Sequence, residues 1–270
     1  MIIARICNDC FMYLCHCPKI QDSLRYFIEI AYNGKNYHGW QLQEDAVTVQ
    51  EVLENSLSTL LKKVIKVTGA GRTDAGVHAK QLFAHFDFRE IEDVLDLVFK
   101  LNSFLPKDIS VKNIYKMKDD AHARFDAIER EYEYIITFKK NPFVQDFAYL
   151  IHQKPNVDLM NKAAKTLLHY KDFQCFSRSK SDVKTYHCNI KKAFWKVEKS
   201  KLVFTISADR FLRNMVRAIV GTLLDVGFNK TTFEMFQEII KGKDRSKAGA
   251  SVPAHGLFLT KIKYPEMVKI

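Results

Sequence analysis

The alternation of apolar and polar residues predicts strands and helices from about residue 25 onward. Tyr26, Ile28, Ile30 and Tyr32 occupy every second position, as in a strand with one buried face, before Asn33-Gly34 ends the pattern. Thr48 with Glu51 forms a capping box ahead of apolar residues at helical spacing, which predicts a helix after residue 48. The same patterns predict strands at 64–68, 81–88, 109–116, 131–138, 190–198, 202–208 and 256–263, and helices at 91–104, 157–169, 211–226 and 231–241.

The order of these elements predicts an α+β fold. Strands often follow one another directly, which favours mainly antiparallel sheets. We expect two related halves, each a sheet flanked by helices, with an active-site cleft between them. Residues 24–120 would form the N-terminal half and residues 121–270 the C-terminal half. Residues 1–23 have no sustained period and are predicted to be an appendage outside the core.

The charge balance favours a negatively charged partner. Lys and Arg number 42 against 31 Asp and Glu, a formal net charge of +11. Nucleic acid would suit this charge, but so would a merely basic, soluble surface, and charge alone leaves both open. No run approaches the roughly 18 apolar residues of a membrane helix, and the N-terminus does not read as a secretory leader. We therefore expect a cytoplasmic protein that contacts no membrane.

Four of the six cysteines crowd the N-terminus, at Cys7, Cys10, Cys15 and Cys17. Four thiolates could bind zinc and build an interaction module, but a single residue between Cys15 and Cys17 is poor ligand spacing. Such scattered cysteines in a chain of this length do not form a secreted disulfide framework. The prediction is reduced thiols and no metal.

Residues 69–78 form a glycine-rich segment between two predicted strands. A dinucleotide fingerprint would need glycine where Asp74 stands, and a phosphate-binding loop would need Lys and Ser or Thr where Val77 and His78 stand. Two interpretations of the segment remain. Asp74 beside Arg72 could be an active-site carboxylate that a ligand approaches closely, or it could cap backbone donors in a tight turn.

The segment Gly71-Arg72-Thr73-Asp74-Ala75-Gly76-Val77-His78 closely resembles the active-site motif of the tRNA pseudouridine synthase A family. Other blocks of the chain resemble that family in the same order, over about residues 25–264. These blocks are Tyr37-His38-Gly39-Trp40-Gln41, His122-Ala123-Arg124-Phe125, Arg130-Glu131-Tyr132-Glu133-Tyr134, Met215-Val216-Arg217 with Ile219-Val220-Gly221, and Gly256-Leu257-Phe258-Leu259.

The resemblance implies roles for individual residues. Asp74 would be the catalytic aspartate, Arg217 its partner, and Tyr132 the active-site tyrosine. Pattern alone would let Tyr132 pack in the core and Arg217 be an outward helix charge. Arg72 would fill the space of the flipped uracil, and Leu257 would line the substrate pocket. Candidate phosphate contacts are Arg124, Arg130, Arg178, Lys180, Arg210 and Arg213. His78 and His122 would have structural or RNA-contact roles.

The implied reaction is an isomerisation that needs no cofactor. The bond from C1′ to N1 breaks, the uracil turns, and C1′ joins C5, so no atoms are gained or lost. Asp74 could attack the sugar, attack the base, or promote elimination to a glycal, and the sequence leaves these routes open. The implied substrate is uridine in the tRNA anticodon arm (tRNA positions 38, 39 and 40), and the implied assembly is a homodimer. The alternative is a noncatalytic RNA-binding or RNA-folding protein.

Overall fold

The computed structural model describes residues 23–178 and 183–266. The cysteine cluster, Lys180 and residues 1–22 of the predicted appendage lie outside the described residues. The strands are β1 (Leu24–Tyr32), β2 (Thr68–Gly69), β3 (His78–Phe88), β4 (Ile109–Met117), β5 (Glu129–Thr137), β6 (Tyr149–Leu150), β7 (Ile190–Glu198), β8 (Lys201–Ala208) and β9 (Leu257–Lys263). The helices are α1 (Val49–Leu61), α2 (Val94–Phe104), α3 (Val157–Thr166), α4 (Met215–Gly227) and α5 (Phe233–Gly242).

The local signals of α1 are confirmed, but the strand predicted at 64–68 is wrong over most of its length. The Thr48 hydroxyl accepts a hydrogen bond from the Glu51 amide at 3.3 Å and caps the helix. Residues 64–67 are irregular because side chains of α1 satisfy their backbone. The Val67 amide donates to Glu54 Oε1, and the Val67 carbonyl accepts from Gln50 Nε2, both at 3.0 Å.

In the described residues, one nine-stranded sheet runs through both predicted halves. Seven strands follow the order β4-β1-β3-β9-β5-β8-β7, while β2 pairs with β3 and β6 with β5 beside this path. Neighbours on this path are antiparallel except β3 and β9, which run parallel. The strand β9 therefore joins the N-terminal strands to the C-terminal ones. The predicted α+β fold with mainly antiparallel strands is confirmed, and the strands of the two predicted halves form one continuous sheet.

The helices form two apolar cores with the sheet. In the first core Leu53 of α1 and Leu101 of α2 are fully buried, and in the second Met160 of α3 and Phe236 of α5 are. The Tyr132 side chain packs against both cores, so this residue lies where the two halves meet. Among residues 23–178 and 183–266, no helix is both long enough and apolar enough to span a membrane.

Candidate active site

The loop between β2 and β3 carries Asp74 and is fixed mainly through its backbone. The Gly76 amide donates to the Tyr37 carbonyl at 3.2 Å, and the Trp40 amide donates to the Thr73 carbonyl at 3.4 Å. Gly39 has a φ of +87°, and a Cβ there would lie 2.2 Å from the Thr73 carbonyl oxygen. Glycine is therefore required at residue 39 for the chain to pass this close to the Asp74 loop.

Two guanidinium groups face the Asp74 carboxylate, one toward each oxygen. Arg217 Nη1 lies 3.5 Å from Oδ2, and Arg213 Nε lies 3.9 Å from Oδ1. The Asp74 and Arg217 side chains are 24% and 22% exposed, whereas Arg213 is 60% exposed. Because water screens the Arg213 pair more strongly, Arg217 is the main electrostatic partner of Asp74. The carboxylate remains open to a ligand from the solvent side.

The start of α4 places Arg217 beside the carboxylate. Arg217 lies in the first turn of α4, and its Nε donates to the Val252 carbonyl at 2.7 Å. The helix predicted to begin at residue 211 begins instead at Met215, after Asn214 adopts a φ of +66°. A cation in the first turn opposes the helix dipole, while an anion there is favourable. The Asp74 carboxylate thus offsets the cost of placing Arg217 at this position.

Tyr132 lies on β5 between Ile206 of β8 and Leu259 of β9. Its ring meets the Phe211 ring edge-on, with 5.2 Å between centroids. Burial raises the pKa of the Tyr132 phenol to about 12; the Arg130 charge opposes this rise and the Asp74 charge adds to it. The phenol is therefore neutral near pH 7, and its pKa responds to the carboxylate of Asp74.

Arg130 has a different environment from the one expected of an RNA contact. Its guanidinium donates four hydrogen bonds of 2.6–2.9 Å to the carbonyls of Ala70, Arg124, Ala127 and Asp209. Four of its five N–H donors are thus engaged by backbone from three segments of the chain. We now expect Arg130 to hold the Asp74 loop in place rather than to bind phosphate.

The remaining predicted residues differ in accessibility. Arg72 is exposed on the Asp74 loop, and Arg124 is exposed with its guanidinium 5.6 Å from the centre of the Phe125 ring. Both side chains are therefore accessible to a nucleic acid. Leu257 is buried at the start of β9, where it pairs with Tyr134 of β5, two residues from Tyr132.

The two histidines near the motifs make structural hydrogen bonds. His78 is buried; its Nδ1 accepts from the Gly34 amide at 3.0 Å, and its Nε2 faces the carbonyls of Asp146 and His255 at 3.0 and 3.1 Å. Burial lowers the pKa of His78, so the neutral ring donates from Nε2. The backbone amides of Arg124 and Phe125 donate to His122 Nδ1 at 3.1 and 3.3 Å.

Sequence reasoning missed two aromatic residues of the site. The Tyr32 hydroxyl lies 2.9 Å from the Thr73 hydroxyl, and burial raises the Tyr32 pKa. Phe211 supports the ring of Tyr132, although the sequence had placed it inside a helix. Tyr32 satisfied the alternation of a buried strand, so no signal set it apart. Within the described part of the chain, no three His, Cys, Asp or Glu side chains cluster closely enough to hold a metal ion.

Comparison with known proteins shows which family the sequence belongs to. A sequence model described as tRNA pseudouridine synthase matches residues 29–126 and 163–265. The tRNA pseudouridine synthase A of Parabacteroides distasonis is 51% identical over 243 residues, which cover 90% of this chain and 96% of that protein. The enzyme of the same name from Bacteroides thetaiotaomicron is 51% identical over 245 residues, covering 90% and 91%. One from Thermoanaerobacter sp. (strain X514) is 39% identical over 244 residues, covering 88% and 98%. The chain therefore belongs to the tRNA pseudouridine synthase family.

Proposed function

We propose that this protein is an isomerase that converts uridine to pseudouridine in tRNA, with Asp74 as its catalytic residue. The observation that carries the proposal is the position of the Asp74 carboxylate, held by Arg217 at 3.5 Å and open to solvent. A carboxylate that only capped a turn would not require two guanidinium groups. The reaction redistributes bonds within one nucleotide, so Asp74 needs no redox partner or energy source.

Each route open to Asp74 starts from its ionised carboxylate. It can attack C1′ while N1 departs, add to the uracil ring, or promote elimination to a glycal. In every route the C1′–N1 bond breaks, the C1′–C5 bond forms, C5 loses a proton and N1 gains one. Arg217 attracts the carboxylate and limits its rotation, which keeps the oxygens directed toward the reacting nucleotide.

Tyr132 would stack on the uracil through its ring and donate a hydrogen bond through its hydroxyl. Its pKa of about 12 keeps the hydroxyl protonated at neutral pH. Phe211 supports the ring edge-on and keeps it facing the site. Removal of the C5 proton by this phenol would require that the phenol pass its own proton onward at the same time.

The exposed arginines would bind and open the RNA. Arg72 lies on the same short loop as Asp74, and its side chain is exposed, so it can enter the space left by a flipped base. Arg124 and Arg213 would contact phosphates, and Leu257 would line the pocket floor. We expect the substrate uridines to lie in the anticodon arm and the protein to act in the cytoplasm.

The test is pseudouridine formation on unmodified tRNA transcripts by purified protein, with and without chelator. We expect activity in both, and loss of activity in Asp74→Asn with tRNA affinity retained. The matched control is Asp158→Asn, which removes an exposed aspartate in the first turn of α3, away from both proposed contact surfaces. Folded protein that binds tRNA tightly but modifies none would favour the noncatalytic RNA-binding alternative.

The homodimer expected for this chain has a candidate interface on α2. Leu95, Phe99 and Phe104 are exposed large apolar residues on this helix, more than a monomer surface usually groups together. Asp96 and Lys100 lie one turn apart on the same helix. In a two-fold antiparallel contact each charge would meet the opposite charge of the second copy. Sedimentation in the analytical ultracentrifuge should give the mass of a dimer for the wild-type protein and that of a monomer for Phe99→Lys.

A further inference from the structure

The segment 139–147, between β5 and β6, presents an aromatic side chain to solvent. Phe143 is 87% exposed, the largest exposure among the big apolar residues of the described chain. Lys139 and Lys140 precede it and are exposed as well. A single exposed apolar side chain is common on protein surfaces, so what matters here is how this ring is held and which charges lie beside it.

Local hydrogen bonds hold Phe143 outward. The Asn141 side chain accepts from the Phe143 amide at 2.9 Å, and the Asn141 carbonyl accepts from the Val144 amide at 3.1 Å. Pro142 occupies the second position of this turn, where its fixed φ is favourable. A second turn follows, because the Phe147 amide donates to the Val144 carbonyl at 2.9 Å. The segment is therefore a preorganised turn with Phe143 at its tip.

The same segment is attached to the base of the Asp74 loop. His78, four residues after Asp74, donates to the Asp146 carbonyl, and the rings of His78 and Phe147 lie 5.2 Å apart. Four Cα steps of about 3.8 Å lead from Asp74 to His78, three lead from Asp146 to Phe143, and the hydrogen-bonded pair spans about 10 Å, so the Cα atoms of Asp74 and Phe143 are at most roughly 37 Å apart. A tRNA molecule bound at Asp74 can span that distance.

The charges around Phe143 favour RNA over a protein partner. Lys139 and Lys140 belong to the segment, and Lys154 lies 6.0 Å from the centre of the Phe138 ring next to it. The one carboxylate of the segment, Asp146, is already paired with Lys35 at 2.8 Å. Exposed aromatic rings with flanking lysines bind unpaired nucleotides, because bases stack on the ring while phosphates meet the ammonium groups. An apolar protein surface would not need this excess of positive charge.

We propose that Phe143 stacks on an unpaired tRNA nucleotide outside the pocket of the target uridine, while Lys139 and Lys140 bind the adjacent phosphates. The proposal rests on the proposed function for the identity of the RNA. It adds an anchoring contact on the C-terminal half of the chain to those expected around the Asp74 loop.

The first experiment uses Phe143→Trp as a fluorescent probe. The two natural tryptophans, Trp40 and Trp195, are buried, so the new indole reports the surface of the segment. We expect unmodified tRNA transcript to quench its emission, with the titration giving the affinity found by filter binding. To exclude turnover, the titration is repeated in Asp74→Asn. Emission unchanged at saturating tRNA would overturn the proposal.

The second experiment compares tRNA binding and turnover among substitutions. Phe143→Ala and Phe143→Leu should raise Kd and KM by about 5- to 150-fold, the effect of losing one stacked base, with kcat unchanged. Phe143→Trp and the control Phe194→Ala, a partly exposed ring on edge strand β7, should stay within twofold. The double change Lys139→Gln with Lys140→Gln should reduce the slope of log K against log salt by about 2.

These results separate the two proposals. If Phe143→Ala binds tRNA within twofold of the natural chain while that chain forms pseudouridine, the anchoring contact is refuted and the catalytic proposal stands. If Phe143→Ala weakens binding but the natural chain forms no pseudouridine, the anchor stands and the catalytic proposal fails. Loss of stability in Phe143→Ala is excluded by comparing thermal unfolding with Phe143→Trp.

Discussion

Replacement of Arg217 by glutamine should slow the reaction more than it weakens tRNA binding. Two unit charges 3.5 Å apart attract by about 5 kcal/mol at an effective dielectric constant of 20. Both side chains are about a quarter exposed, and Arg213 still faces the carboxylate at 3.9 Å, so we take roughly half of that value. A loss of about 2–3 kcal/mol in the transition state lowers kcat by about 30- to 150-fold.

Arg213→Gln is the matched control for that measurement. Because Arg213 is more exposed and farther from Asp74, its loss should lower kcat less than tenfold and act mainly on KM. Arg217→Lys keeps the charge but loses the hydrogen bond to Val252, and should fall between the natural chain and Arg217→Gln. Single-turnover rates at saturating tRNA, with Kd measured separately, give the comparison. A smaller loss of kcat for Arg217→Gln than for Arg213→Gln would refute this assignment.

Three other changes test the surroundings of the site. In urea unfolding, Gly39→Ala should destabilise the fold by at least about 2 kcal/mol more than Gly76→Ala. The Cβ added at residue 39 would lie 2.2 Å from a carbonyl oxygen, whereas the Cβ added at residue 76 would lie 3.4 Å from a methyl group. Equal losses of stability would contradict the steric explanation. Tyr132→Phe keeps the ring and should retain tRNA affinity while kcat falls at least about 100-fold, whereas a near-normal kcat would show that stacking is the whole contribution of the residue. Burial, and to a smaller extent the charge of Arg25, lowers the pKa of His85 to about 4. Between pH 6.5 and 4 the unfolded chain therefore binds a proton that the folded chain does not. The free energy of unfolding should fall by up to about 3 kcal/mol as the pH drops through this range. His85→Gln should reduce that slope, and an unchanged slope would rule His85 out as its source.

Periodicity predicted most elements of the fold, because each depends on neighbours in the sequence. The helix α1 could be predicted from Thr48, Glu51 and its apolar face. Residues 64–67 could not, since the side chains that satisfy their backbone, Gln50 and Glu54, lie on another element. The parallel pairing of β3 with β9 joins residues His78 and Phe258, and no local pattern specifies a partner so far along the chain.

The site was predicted unevenly for the same reason. The resemblance named Asp74, Tyr132 and Arg217, and their proximity is now visible in the structure, while their catalytic roles stay predictions. Arg130 belongs to the same family block as Tyr132, yet its guanidinium is engaged by carbonyls that come together only after folding. For a charged residue on a strand, nothing in the sequence distinguishes a partly buried side chain bonded to backbone carbonyls from an exposed phosphate contact.

The central position of β9 also bears on how the chain is made. The strand enters the sheet between β3 and β5, although it comes almost last in the sequence. While a ribosome is still translating the preceding residues, the N-terminal strands have no partner at that edge, and Tyr132 lacks its neighbour Leu259. Pairing over such separations is slow to form. A nascent chain would therefore complete the surroundings of Tyr132 only when residues 257–263 emerge, so an incomplete chain would lack the proposed active site.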